Sequence, residues 1–377
     1  MTTASIKSPQ QLLQRYLGFL KYDPDNVSLR ADIFDLALRC GANNIARQQA
    51  RHALAAAPDA PAWINRLAML EMAQQRYVLA DALLADLQAR GVENEGVIFN
   101  RAYSAFCQQK YALACAMLKP LSVRSTLSPI LPLYLRCLHR LGNIDEALRY
   151  FQQQLANGLA GDIAYGVASL LALDAGRLPL AKSWAAQALQ GHPLQVEALV
   201  TRASLALAMQ DADAAEVDLR KALDINAQDG RVRSALGIVC LLRQQFAAAS
   251  DNFLQAVKLL PGHIGSWHGL GWCQLLRQDA LEARNSFEQA LALDRNFAES
   301  HGALAAALAR IGKLSEAQTH VARALRLDRH NLAARYAQAL INGEVEDIAA
   351  FKRTVKRVIG DRTVADGRSL AGIVLGA

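Results

Sequence analysis

Histidines are the side chains best suited to do chemistry in this sequence, and eight of them are scattered along it. Three of these, His263, His268 and His301, fall in adjoining segments and would supply metal ligands or a general base if they converged. No cysteine or carboxylate accompanies them at a spacing typical of metal ligands. The pattern therefore favours histidines that pack or face solvent, and we predict no metal site.

The six cysteines are a second set of reactive side chains. None forms a C-x-x-C pair, and all fall within helical patterns, at Cys40, Cys107, Cys115, Cys137, Cys240 and Cys273. This spacing argues against zinc ligation and against a disulfide framework. We expect small buried hydrophobic side chains in a reducing compartment.

A Gly-x-Gly between two tryptophans is the third candidate, in the stretch WHGLGWCQLL at residues 267–276. A phosphate-binding glycine loop follows a β-strand, and no strand pattern precedes this one. No serine elbow, H-E-x-x-H or Walker sequence occurs either. We therefore predict no enzyme and no cofactor, and a structural role for these glycines.

The composition indicates helix. Hydrophobic residues make up 52% of the 377 positions, only 10 are proline, and alanine, leucine, glutamine and arginine dominate. The formal charge is +7, with twelve basic against seven acidic residues from Arg310 onward and near balance before it, which argues against nucleic-acid binding. The first twenty residues lack the pattern of a signal peptide, and no run of about 18 apolar residues predicts a membrane span. We expect a cytoplasmic protein.

A repeat organises the chain. Stepping by 34 residues from Ala283, with one step of 33, reaches a column of nine alanines at 46, 80, 114, 147, 181, 215, 249, 283 and 317. Four residues after this column stand Leu84, Leu118, Phe151, Leu219, Phe253, Phe287 and Val321. Each period reads as helix, short turn, helix, and Gly142 is placed as a helix C-cap in one of the turns. Apolar residues recur at spacings of three and four within each helix.

A 34-residue helix–turn–helix with Trp, Leu-Gly, Ala, Phe, Ala and Pro in this order resembles the tetratricopeptide repeat. The resemblance covers nine repeats, at 27–60, 61–94, 95–127, 128–161, 162–195, 196–229, 230–263, 264–297 and 298–331. It implies an all-α, right-handed solenoid of antiparallel helix pairs. Trp267, Leu270 and Gly271 then occupy signature positions of a first helix, where Gly271 lets a neighbouring helix pass close. Arg101, Arg202, Pro129 and Pro132 depart from the pattern.

Capping helices are expected at both ends, because a terminal repeat otherwise leaves its apolar face exposed to water. Residues 1–26 hold a tail and one such helix at 8–22, and residues 332–359 hold two more, Leu332–Asn342 and Glu344–Ile359. Residues 360–377 form a tail with little helical pattern, which ends in SLAGIVLGA.

The resemblance also implies a concave groove, lined by the second, fifth, ninth, twelfth and thirteenth residues of each repeat. These spacings lie on one stripe of a helix. The stripe is largely apolar. A group of basic residues, called the basic step, lies between two groups of aromatic residues. The stripe's candidate partner-binding residues are Met69, Met72, Phe99, Tyr103, Phe106, Arg136, His139, Arg140, Leu170, Leu173, Leu207, Ile238, Leu241, His268, Trp272 and Leu275.

An exposed apolar groove usually marks a binding surface. We therefore predict a protein-binding scaffold, adaptor or chaperone that holds a segment of a partner protein. The alternative for the groove is that a tight superhelix, or a second copy of the chain in a homo-oligomer, covers it. The alternative for the function is a regulatory or accessory subunit of an enzyme or of a secretion or assembly complex, and a weaker one is a nucleic-acid-associated factor. The Lys, Arg and Asn set that clamps a C-terminal carboxylate in this family is absent from adjacent repeats.

Overall fold

The structure, a computed structural model, describes residues 8–124 and 129–344, and these ranges contain twenty α-helices and no β-strand. It divides into two compact units, Met1–Val167 and Ala168–Ala377, whose boundary falls inside the tenth helix. Up to that helix the elements are α1 (Pro9–Leu20), α2 (Val27–Arg39), α3 (Asn43–Ala56), α4 (Pro61–Ala73), α5 (Tyr77–Ala89), α6 (Glu95–Cys107), α7 (Tyr111–Arg124), α8 (Ile130–Arg140), α9 (Ile144–Ala156) and α10 (Asp162–Asp174).

The second compact unit continues the same alternation of helices. Its elements after α10 are α11 (Leu178–Gly191), α12 (Val196–Ala208), α13 (Ala212–Ile225), α14 (Gly230–Leu242), α15 (Phe246–Leu259), α16 (Ile264–Leu276), α17 (Ala280–Leu293), α18 (Ala298–Arg310), α19 (Leu314–Leu327) and α20 (Leu332–Ile341). Successive helices pack on one another from α1 to α9 and again from α11 to α20. Within these two runs, first helices also touch the first helices of neighbouring repeats. The predicted fold class, an all-α solenoid of antiparallel helix pairs, is confirmed.

A left-handed residue ends the first helix of each pair. Nine equivalent positions have φ between 58° and 80°: Gly41, Gln75, Gln109, Gly142, Gly176, Gln210, Gln244, Gln278 and Gly312. The next amide closes the turn on a carbonyl five residues back, as where Asp279 N–H donates to the Gln274 carbonyl at 2.9 Å. This is the Schellman motif, which satisfies helix carbonyls that would otherwise lack partners. Gly142 is thus a C-cap, as predicted.

The alanine column forms the interface between the two helices of each pair. All nine alanines have no exposed surface. Four residues later, large side chains such as Phe253 and Phe287 are at most 1% exposed. A small side chain lets the paired helices approach, and a large one on the next turn fills the space that remains.

The Gly-x-Gly of α16 is a packing device between two phenylalanines. A Cβ atom on Gly269 would lie 2.4 Å from the Phe253 Cζ, and one on Gly271 would lie 2.5 Å from the Phe287 Cε1. Phe253 belongs to α15 of the preceding repeat, and Phe287 belongs to α17 of the same repeat. Both distances are too short for any real Cβ, so the structural interpretation of these glycines is confirmed.

The departures from the repeat pattern have local explanations. Pro129 precedes α8, and Pro132 falls in its first turn, where a missing backbone N–H costs no hydrogen bond. Arg202 does not enter the core, because its guanidinium makes two hydrogen bonds to the carboxylate of Asp218, at 2.6 and 2.7 Å. Arg101 pairs similarly with the carboxylate of Asp81 at 3.1 Å.

Helices beside the terminal repeats shield apolar surface. At one end, Leu13 of α1 is buried against Ile33 and Phe34 of α2. At the other end α20 packs on α18, and Ala333, Ala334 and Ala337 of α20 are buried. The predicted helix at Glu344–Ile359 extends beyond the described residues, and the tail 360–377 lies wholly outside them. Among the residues described, no helix is long and apolar enough to cross a lipid bilayer.

Candidate functional site

Histidines of the last two repeats take part in packing and hydrogen bonding. His268 is buried, and its Nε2 lies 2.8 Å from the Ser300 hydroxyl. His301 Nδ1 lies 2.9 Å from His320 Nδ1, and its Nε2 lies 3.0 Å from the Arg295 carbonyl oxygen. Burial lowers the pKa of His268 to about 4. No group of three or more His, Cys, Asp or Glu side chains in the described ranges is arranged to hold a metal ion.

Burial makes five of the cysteines poor nucleophiles, namely Cys107, Cys115, Cys137, Cys240 and Cys273. All six are free thiols, and each is buried or half-buried. Burial raises the pKa of Cys137 to about 12 and that of Cys273 to about 11. A thiol is reactive as its thiolate, so these environments hold the groups in their unreactive form at neutral pH.

Two predicted groove residues of α4, Met69 and Met72, lie in different surroundings. Met69 lines a cavity of about 780 Å³ on the first helices α2, α4 and α6, which we call the N-terminal cavity. Its polar side chains include Asn65 and an Asp35–Arg66 ion pair with both contacts at 3.2 Å. Met72, by contrast, packs against the buried core beside α5. The N-terminal cavity is therefore mixed in polarity.

Three aromatic side chains continue the stripe on α6. Phe99 and Tyr103 are stacked with their ring centroids 6.5 Å apart, and Phe106 meets Tyr111 edge-on at 5.3 Å. Tyr103 is 40% exposed, so one face of this group is open to solvent. The basic step lies on α8. Arg140 is exposed, whereas Arg136 and His139 are half-buried and have interaction partners.

The second compact unit contains the most apolar part of the stripe. Side chains from α10, α12 and α14 surround a cavity of about 370 Å³, which we call the central cavity. Four of the predicted residues meet there: Leu170, Leu173, Leu207 and Ile238. The remaining lining residues are Val200, Ser204, Ala208, Arg231, Ser234, Ala235 and His263. Leu241, one turn beyond Ile238, packs instead on the core beside Phe253.

An ion pair joins two first helices that are not adjacent. Arg231 of α14 donates to both carboxylate oxygens of Asp174 at the end of α10, at 3.0 and 2.9 Å. The two residues are 57 positions apart, and α12 lies between their helices in the chain. Sequence reasoning missed Arg231, although it stands at the second position of its repeat and so on the predicted stripe.

His263, one of the three histidines in adjoining segments, also lines the central cavity, although it was not among the predicted groove residues. It caps the N-terminus of α16, and its Nδ1 accepts a hydrogen bond from the Ser266 amide at 3.2 Å. The Ser266 hydroxyl lies 2.7 Å from the same Nδ1 and 2.9 Å from the Ser234 hydroxyl. Burial, and then the charge of Arg231, lowers the pKa of His263. A capping histidine at this position has no signature in a single sequence, because Asn or Asp usually fills it.

The C-terminal end of the stripe is more covered than the sequence suggested. His268, expected to face the groove, is 8% exposed and lies between the rings of Phe287 and Phe297. Trp272 was expected to project freely beside Leu275. Both instead pack on the buried alanines of α18, because residues as small as Ala305 and Ala306 leave room for them.

The two tryptophans of the stretch at residues 267–276 therefore have more similar roles than their positions in the repeat predict. The Trp272 ring lies 5.5 Å from that of Phe287 and 6.3 Å from that of Tyr336 in α20. Trp267, at a signature position of its repeat, is half-buried, and its indole N–H donates to the Pro261 carbonyl at 2.8 Å. Both rings lie at the edge of the core, so neither is a free anchor in an open groove.

Comparison with known families identifies the repeat. The model of the tetratricopeptide repeat matches residues 196–229, which is the sixth repeat with the bounds predicted from the alanine column. No sequence among curated proteins matches the chain.

Several solved structures resemble the chain, and one of them with a TM-score above 0.5 shows a similar fold. A monomeric mutant of IFIT1 with m7Gppp-AAAA is 14% identical and has a TM-score of 0.52, with 94% of this chain and 91% of that chain covered. The Cut9-Hcn1 hetero-tetramer of the APC/C is 13% identical, with coverage of 90% and 80% and a TM-score of 0.43. The protein pilF of Pseudomonas aeruginosa is 22% identical, with coverage of 52% and 91% and a TM-score of 0.43. At these identities the likeness concerns the fold alone.

Proposed function

We propose that this chain, a tetratricopeptide repeat protein, is a non-catalytic scaffold that holds an extended segment of a partner protein along its first helices. The central cavity carries the proposal, since aliphatic side chains from three successive first helices surround one space there. Ile238 at its edge is 40% exposed. Apolar surface of this kind gains roughly 25 cal/mol per Å² when a partner covers it.

The spacing of the helices favours an extended segment. Packed helices lie about 10 Å apart, and an extended chain advances about 3.3 Å per residue. About every third residue of the segment would therefore meet a new repeat. Each repeat presents its own apolar or polar side chains, and the segment would need complementary side chains at the matching spacing. This requirement would give the groove its specificity. Adaptor and chaperone roles both use this mode of binding.

Two alternatives involve other occupants of the same surface. A second copy of this chain would cover the central cavity in a homo-oligomer, and a catalytic partner would do so if the chain is a regulatory subunit. In both cases folded protein buries the apolar stripe. The mass and stoichiometry of the complex distinguish these alternatives from binding of a short segment.

The test is selection of peptides from a displayed library of random twelve-residue sequences on the full chain. Binding of the selected peptides is expected to fall at least tenfold in Ile238→Asp, because the new carboxylate would have to be desolvated against an apolar ligand. Isothermal titration calorimetry or fluorescence anisotropy measures the loss.

Val217→Asp is the matched control. Val217 is 55% exposed on α13, a second helix, and does not line the central cavity. Its substitution is expected to leave binding unchanged. Peptides that bind both variants as well as the unaltered chain would contradict the proposed surface, and a chain that elutes as a dimer only without Ile238→Asp would favour the second copy as the occupant.

A further inference from the structure

We propose that the central cavity selects a partner segment that carries a carboxylate side chain beside an aliphatic one, and that this carboxylate replaces Asp174 on the guanidinium of Arg231. The inference rests on the proposed function and specifies its ligand. The central cavity has an apolar lining, which would take the aliphatic side chain. The arginine at its rim, Arg231, donates to Asp174 of the same chain.

The lining suits small aliphatic groups. A volume of about 370 Å³ lies near the lower end of the roughly 300–1,000 Å³ typical of ligand pockets. Leu170, Leu173, Val200, Leu207 and Ile238 supply its apolar surface, and the only charged group that lines it is Arg231. A cavity of this size takes one or two side chains of a segment. The charge of Arg231 is neutralised by Asp174, so an acidic neighbour gains this guanidinium only by displacing that carboxylate.

The ion pair at the rim is suited to exchange. Arg231 presents two parallel N–H groups to the Asp174 carboxylate, a geometry that any other carboxylate can reproduce. Both side chains keep contact with solvent, since 35% of Arg231 and 21% of Asp174 is exposed. Pairs that keep their hydration contribute little net stability, so exchange of one carboxylate for another costs the fold little.

A second donor is available in the same lining. Because His263 Nδ1 accepts the Ser266 amide proton, the neutral ring carries its own proton on Nε2. Within the described parts of the chain, no group accepts a hydrogen bond from that Nε2. The same lining therefore holds a neutral N–H donor in addition to the guanidinium of Arg231.

The geometry also gives the exchange a mechanical consequence. Asp174 and Arg231 connect α10 to α14 across α12, so the pair restrains the separation of two first helices in one compact unit. A bound segment that takes over Arg231 would release this restraint. An acidic segment thus competes with Asp174 for the same two N–H groups, and removal of Asp174 should strengthen its binding.

The experiment uses the full chain and the peptides selected from the random twelve-residue library. Peptides whose binding depends on Ile238 are expected to be enriched in Asp or Glu next to Leu, Ile or Val. Their affinity should fall about tenfold when that acidic residue is changed to its amide, and about tenfold in Arg231→Met. In Asp174→Asn the affinity of the acidic peptide should rise about threefold, while the amide peptide should gain nothing.

Asp35→Asn is the matched control, because it breaks an equivalent Asp–Arg pair at the N-terminal cavity. It should leave affinity for the selected peptides unchanged, and thermal melts of all variants establish that they are folded. Ile238-dependent peptides with no acidic preference, or with equal affinity for Arg231→Met, would overturn the carboxylate inference and leave the scaffold proposal standing. If no selected peptide depends on Ile238, both fail.

Discussion

At the scale of single residues, polar groups inside the stack are held by partners from the next repeat. The His268 imidazole lies 2.8 Å from the Ser300 hydroxyl, and the Ser266 hydroxyl lies 2.9 Å from that of Ser234. These contacts satisfy buried polar atoms that would otherwise lose their hydrogen bonds to water. They also place neutral side chains where a charge would be costly, and this makes the stability of the fold sensitive to pH.

His268 provides the first prediction. Its pKa is about 4 in the folded chain because of burial, whereas an unfolded histidine has a pKa near 6.5. The unfolded state therefore binds the proton more tightly, and the stabilising contribution is complete above pH 6.5 and is lost as the pH falls towards 4. Between pH 7.5 and pH 5 the loss should be about 2 kcal/mol from this residue.

Urea unfolding followed by circular dichroism measures this loss. The pH dependence between 7.5 and 5 should become smaller in His268→Gln, which keeps a hydrogen-bonding side chain without a titrating ring. The exposed His52 is the control, and His52→Gln should retain the pH dependence of the unaltered chain. An unchanged pH dependence in His268→Gln would show that other groups cause it.

At the scale of elements, the turn inside each repeat is uniform although its residues differ. Five of the nine left-handed positions are occupied by glutamine rather than glycine, all with φ between 58° and 64°. Left-handed backbone costs an L-residue roughly 1–2 kcal/mol relative to glycine. The glutamine turns therefore hold a strain that the surrounding helix packing outweighs.

Gln278 tests this at the turn between α16 and α17. Gln278→Gly should raise the free energy of unfolding by about 0.5–1 kcal/mol, after the extra flexibility of glycine in the unfolded chain is taken into account. Gly312 occupies the same place in the next repeat with φ 80°, and Gly312→Ala should lower stability by about 1 kcal/mol. Thermal melts compare the two, and a destabilised Gln278→Gly would mean that the glutamine side chain itself stabilises the turn.

At the scale of the whole molecule, each repeat should have its own local stability, and the chain should not unfold as a single unit. Repeats contact their neighbours in the solenoid, so a defect weakens the adjoining repeats most. Trp272 belongs to the contacts among α16, α17, α18 and α20. Loss of the Trp272 side chain should therefore destabilise mainly these four helices.

Hydrogen exchange with mass spectrometry follows that effect. Trp272→Ala should speed exchange of amides in residues 264–341 by a factor that corresponds to about 2–3 kcal/mol, somewhat less than for a fully buried tryptophan. Amides in residues 27–107 should exchange as in the unaltered chain. Uniformly faster exchange across both ranges would show that the molecule unfolds as one cooperative whole.

The sequence by itself determined the period, the helix pairs and the fold class. The alanine column placed the nine buried contacts, and helices begin at Val27, Val196 and Ile264, the first residues of predicted repeats. These features depend on local conformational preferences and on an apolar spacing that recurs within about 34 residues, both of which a single sequence displays. Four of the eleven residues that line the central cavity were predicted from the stripe: Leu170, Leu173, Leu207 and Ile238.

Only the tertiary structure decided how open each part of that stripe is. Trp272 is covered by Tyr336 and packs over Ala306, whereas Ile238 stays 40% exposed, although both occupy the same position in successive repeats. The Asp174–Arg231 pair joins residues 57 positions apart. Exposure and such pairings depend on the angle and distance at which one repeat stacks on the next, and these follow from the sum of many side-chain volumes across the interface. A repeat pattern specifies which residues face the groove, but the stacking specifies which of them a partner can reach.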